Sequence, residues 1–192
     1  MNLPWTSFTA RPDSAAQRLS RLFALACLAL LLQPGGANAK VVAVFHSFNG
    51  SVFGRYPHTF VELTGTLDAG GNPVHENYGY TAVHVTSALL SGNVRGTVAS
   101  ERDDYVQSTN VHFRVPITDR QYYDLRTEIE KWRNSPTPDY NLKHNNCVSF
   151  VAQIARMIGL KADVPASLVL RPKAWLNYVS QLNPQLHAAA IR

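Results

Sequence analysis

The chain has 192 residues, a formal net charge of +5 at pH 7 and two cysteines. That charge includes no basic run, so a nucleic-acid partner is not expected. Two cysteines are too few for a disulfide-stapled scaffold, so a buried apolar core must hold the fold.

The first forty residues read as a secretory signal. Arg11, Arg18 and Arg21 form a positive region before LFALACLALLL, Leu22 to Leu32. An 11-residue helix rises about 17 Å, too short for a hydrocarbon core of about 30 Å. Ala37-Asn38-Ala39 then gives an A-x-A cleavage pattern. Residues 1–39 are therefore expected to be a signal peptide and 40–192 a single domain without an integral membrane span. The expected location is the periplasm or the outside. Cleavage leaves 153 residues, a net charge of about +3 and Cys147 as the sole cysteine. In an oxidising compartment an unpaired cysteine is either a buried, inert thiol or a functional one.

In chain order, KVVAVFH (40–46) predicts a first buried strand. HTFVELTGTL predicts a second, joined through the Asp68–Pro73 turn to VHENYGYTA as an antiparallel hairpin. Residues 83–92 fit either a strand or a short helix. NVRGTVAS (93–100) and TNVHFRV (109–115) read as short strands, the latter ended by Pro116. Thr118 to Gln121 is a capping-box pattern before QYYDLRTEIEKW, whose Tyr122, Leu125, Ile129 and Trp132 recur at helical spacing. A second helix begins near Asn146 and ends at Gly159, with a buried stripe of Val148, Val151, Ile154, Ala155 and Ile158. A third begins at Pro172.

Cys147 falls in the first turn of the second helix, with Asn145 or Asn146 as N-cap. The unpaired amides and positive dipole end there favour a thiolate, so a lowered thiol pKa is expected. The plain alternative is a core-filling cysteine. A nucleophilic thiol needs a base. Of seven histidines, His58 sits at a loop–strand junction, where functional side chains gather, and His46 ends the first strand. The spacings characteristic of metal ligands are missing, so no cofactor and no metal is expected.

Three stretches carry a resemblance: Pro57-His58-Thr59-Phe60-Val61-Glu62-Leu63, Tyr78-Gly79-Tyr80, and Tyr140-Asn141-Leu142 ahead of Asn145-Asn146-Cys147-Val148-Ser149-Phe150-Val151. Together they resemble the permuted papain-like (NlpC-type) cysteine hydrolase superfamily over about residues 40–160. The stretch around the cysteine is also similar to lecithin retinol acyltransferase-like proteins. The resemblance implies an α+β fold, with a small antiparallel sheet packed on a cysteine-bearing helix and two further helices. It implies Cys147 as nucleophile, His58 as base, and a third polar residue that orients the imidazole. Glu76, His75, Tyr80 and His84 compete for that third place, and Glu76 has the fitting chemistry. The implied reaction is cleavage of an amide bond through a thioester, in cell-wall peptides or another peptide or acyl-bearing envelope substrate. The alternatives are a lipid esterase or acyltransferase using the same pair, and a catalytically silent envelope-binding domain. A Cys147–His58 ion pair would lower the cysteine pKa and raise that of the histidine.

Overall fold

A computed structural model describes residues 41–48, 56–137 and 139–192, all within one compact unit, Ala37–Arg192. The expected signal peptide lies outside the described residues. Among them, no helix is long and apolar enough to cross a membrane.

The architecture is α+β. Five antiparallel strands form one sheet in the order β4-β3-β2-β1-β5: β1 Val41–Phe48, β2 His58–Thr66, β3 Pro73–Ala82, β4 Gly96–Ala99 and β5 Asn110–Ile117. The β-branched and aromatic content of these runs suits a pleated, buried surface. The β2–β3 hairpin turns through Gly70 and Gly71, whose φ values of 83° and 66° are left-handed and favour glycine. Pro116 does not end β5, contrary to the sequence reading. The strand runs through it to Ile117, because β5 is an edge strand and has a side with no partner to miss an amide.

Three longer helices cover one face of the sheet. These are α3 Asp119–Arg133, α4 Cys147–Met157 and α5 Pro172–Leu182. Thr118 closes the expected capping box with Gln121. Gly159, at φ 88°, sits just past the end of α4. The helices bury Leu125 and Ile129, Val151 and Ile154, and Trp175 and Leu176 against Val61, Leu63 and Tyr80 of the sheet. Each such side chain contributes about 1.5–3 kcal/mol of burial. Two shorter helices are α1 Ala88–Ser91, within the ambiguous 83–92 segment, and α2 Asp103–Gln107, which the sequence reading did not contain.

Register fixes which residue faces which way. Val61 pairs with Tyr78 and Leu63 with Glu76, so Glu76, Tyr78 and Tyr80 face the helices. Glu62 pairs with Asn77, so Asn77 and Gly79 share the other face with Phe60 and Glu62. The residues around α2 cover that second face. Tyr105 lies 6.1 Å from Phe60 and 5.2 Å from Phe48, ring to ring.

The sheet also forks. β1 and β2 stay paired as far as Phe48 and His58. The β2–β3 ladder ends at Val61 and Tyr78, and from Gly79 onward β3 pairs with β4 instead. The first residues of β2 thus have a side that β3 has vacated, and α4 begins beside it.

Candidate active site

Cys147 is the first residue of α4, and Asn146 is its N-cap. The Asn146 Oδ1 accepts from the amides of Val148 at 2.8 Å and Ser149 at 3.3 Å. Its Nδ2 donates to the carbonyls of Leu142 at 2.7 Å and Val169 at 3.0 Å. One buried side chain therefore caps the helix and ties two cavity-wall segments to the cysteine. Asn145 works one step earlier. Its backbone pairs with Asn141 and its side chain donates to the Asp139 carbonyl at 2.8 Å. The two asparagines before the cysteine are thus a hinge pin and a cap.

The Cys147 thiol is buried. Backbone N–H groups of Thr59, Val148 and Cys147 itself face the sulfur and favour its charged form, yet burial outweighs them and pushes the thiol up to about 11. The Thr59 amide is available because β3 has left that side of β2. Thr59 directly follows His58, so the fork brings the histidine strand to the sulfur.

His58 and Cys147 line one cavity of about 1010 Å³. The imidazole lies over Gly79, where an added Cβ would fall 2.5 Å from Nε2. Nε2 also lies 3.6 Å from the Glu101 carboxylate. Burial pushes the imidazole down to about 4, and the carboxylate beside it acts in the opposite direction. Among the described residues no hydrogen bond joins His58 to Cys147. The expected ion pair is therefore corrected: both groups rest neutral, because burial disfavours either charge more than first-turn amides or Glu101 favour it.

Glu76 does not reach His58. Its carboxylate accepts from Arg126 Nη1 at 2.7 and 2.8 Å, from the Tyr122 hydroxyl at 2.9 Å, and from the Tyr78 hydroxyl. It ties β3 to α3 on the helix face, whereas His58 rests on the face of Gly79. Tyr80 is buried on the helix face and donates to Asp139. His75 is exposed, 3.8 Å from Glu62 and 3.5 Å from Asp103. His84 is exposed in the loop after β3. His46 is committed to Thr109 at 2.9 Å and Glu62 at 3.1 Å. None of these five residues lines the cavity; Tyr80 only backs its wall through Tyr140, 5.3 Å away ring to ring.

The residue that does face the imidazole is Glu101, in the loop between β4 and α2. Asn77 holds it through both backbone groups, donating from Nδ2 to the Glu101 carbonyl at 2.9 Å and accepting the Glu101 amide at 2.5 Å. A carboxylate at Nε2 favours a proton there and leaves Nδ1 as the basic nitrogen. No histidine, cysteine or carboxylate group among the described residues is arranged to hold a metal ion.

The chain matches no family model, and no curated protein matches it by sequence. In fold it is similar to the crystal structure of a type VI secretion system effector, TseH, at a TM-score of 0.52 and 17% identity. That match covers 76% of this chain and 90% of the effector.

Proposed function

We propose that this chain is an exported thiol hydrolase of the permuted papain-like kind, cleaving an amide bond in envelope peptides through a thioester. One observation carries the reading. Cys147 opens a helix at the fork of the sheet, shares a cavity with His58, and takes the amide next to that histidine. The cysteine-bearing helix on an antiparallel sheet, with the histidine strand earlier in the chain, supports a permuted papain-like arrangement. The signal-like residues 1–39 and the likeness to a secretion-system effector support action outside the cytoplasm.

In the reaction, Cys147 Sγ attacks the carbonyl carbon while its proton passes to His58 Nδ1. The developing oxyanion is met by the first-turn amide of Cys147. The proton on His58 then goes to the leaving amine as the C–N bond breaks, which leaves a thioester. Water, deprotonated by His58, releases the acid and restores the thiol. Because the pair rests neutral, the sulfur loses its proton only as it attacks.

The lipid esterase or acyltransferase alternative draws support from the apolar cavity walls, which include Leu89, Leu142 and Val169. Digesting purified sacculi and a panel of lipids, with product masses read against a Cys147→Ser blank, separates the readings. New peptide termini are the expected result. Free fatty acid or acyl transfer would favour the lipid reading, and no product from either substrate would favour a silent binding domain.

Glu101 is a positioning residue in this scheme. Glu101→Gln should lower kcat by about a hundredfold or more, with little change in KM. It should also move the acid limb of the kcat/KM profile to lower pH, because the carboxylate that favours imidazolium is gone. Unchanged turnover and an unmoved limb would remove Glu101 from the mechanism.

A further inference from the structure

The large exposed apolar side chains among the described residues are concentrated at one place. Among the described residues six large hydrophobics stand exposed, and four of them, Tyr56, Val85, Leu90 and Leu170, line the mouth of the Cys147 cavity. Leu90 is 79% exposed, on a four-residue helix that has no buried residue. Large apolar groups gathered at one opening differ from the scattered exposure normal for a soluble surface.

Cations stand around these tips. Arg102 lines the cavity, Arg171 lies between the lining residues Leu170 and Pro172, and Lys143 follows the lining residue Leu142. The Arg95 carbonyl accepts the Val83 amide at 2.8 Å, which brings Arg95 to the same rim. Arg95, Lys143 and Arg171 are exposed and make no ion pair among the described residues. Of the acidic groups nearby, Asp104 is paired with Arg102, while Glu101 and Asp103 lie beside His58 and His75. The rim therefore offers apolar tips beside three exposed cations, Arg95, Lys143 and Arg171, a pairing that complements an anionic lipid surface.

We propose that the mouth of the Cys147 cavity docks on an anionic lipid surface, with Leu90 and Leu170 entering the acyl boundary. This stands apart from the hydrolase reading, since docking does not require a working thiol.

The test places a tryptophan at two exposed positions of the full chain, Leu90→Trp at the rim and Tyr123→Trp on α3, away from the cavity. Vesicles of phosphatidylcholine and phosphatidylglycerol carrying brominated acyl chains are then added. Leu90→Trp emission should shift to the blue and lose most of its added intensity, whereas that of Tyr123→Trp should not. Whatever the leader contributes to binding is common to both variants, so the contrast reports on the rim. Vesicles lacking phosphatidylglycerol should need about tenfold more lipid for the same quenching. A Leu170→Trp variant repeats the measurement should Leu90→Trp fail to fold. Equal quenching at positions 90 and 123, or none at position 90, would overturn the proposal, as would indifference to phosphatidylglycerol. The same readout in a Cys147→Ser background keeps the two readings separate. Quenching there is expected unchanged, and its loss would overturn docking as a thiol-independent property. Failure of Cys147→Ser to stop turnover would sink only the hydrolase.

Discussion

Replacing Cys147 by serine should abolish hydrolysis, by about 10⁴-fold or more, and leave the fold intact. The side chains differ by one atom, and the three amides that face the sulfur can face a hydroxyl equally well. Ionisation separates them. A site that pushes a thiol up to about 11 pushes a hydroxyl, much less acidic from the start, out of reach of an imidazole held near 4. The wild-type thiol carries a second expectation. At pH 7 a cysteine of pKa about 11 has about 300-fold less thiolate than a free one at about 8.5. Its thiolate is intrinsically more nucleophilic, which returns about tenfold. Iodoacetamide should therefore modify Cys147 at least about twentyfold more slowly than a free cysteine. Its rate should climb with pH towards about 11. A preformed thiolate–imidazolium pair would instead give fast alkylation on a plateau reaching below neutral pH, and that result would overturn the neutral pair. Full turnover by the serine variant would move the nucleophile elsewhere.

The neutral pair shows where local sequence stops informing. The place of Cys147 at a capped helix start was legible, because Asn146, Cys147 and the apolar stripe behind them act within two turns. The helix end does favour the thiolate, as its amides show. Burial is a tertiary property: Val169, 22 residues further on, lines the same cavity as Cys147, and only the folded chain brings it there.

The third residue failed for a different reason. Glu76 and Asn77 are neighbours in sequence but face opposite sides of β3, and a one-residue slip in the hairpin would exchange them. The turn between β2 and β3 is long enough to allow either register, so composition alone did not decide it. Glu101 left no signal at all. It lies in a loop before α2, a five-residue helix too short to show periodicity, and Asn77 brings it to His58 across the sheet. Strand identity, the capping box at Thr118 and the helix stop at Gly159 needed only nearest neighbours. The fork between β2 and β3, which makes room for the sulfur, depends on β3 exchanging one partner for another.

Gly79 sits at that exchange, and Gly79→Ala should cost most of the activity at little cost to the fold. Its φ lies outside the left-handed region, so alanine meets no backbone strain there. The new methyl would instead fall 2.5 Å from His58 Nε2, 3.3 Å from Cε1 and 3.2 Å from the Phe60 Cβ. Phe60, fully buried and stacked on His46 at 4.7 Å, needs to give only a few tenths of an ångström, whereas the 2.5 Å contact forces the ring atoms of His58 to move. The imidazole, at the open end of β2, can do so. It must swing off Gly79 and away from Glu101, which removes both the orientation of the base and its hold on the correct tautomer. A misplaced base costs about a hundredfold or more. The expected pattern is a low kcat, a nearly unchanged melting temperature, and non-additivity. The double variant Gly79→Ala/His58→Ala should be no slower than His58→Ala alone, because the glycine acts only through the imidazole. Full activity in Gly79→Ala would show that the imidazole does its work from some other position than the one over Gly79. An additive double variant would show that the glycine serves the site by another route, such as room for the substrate itself.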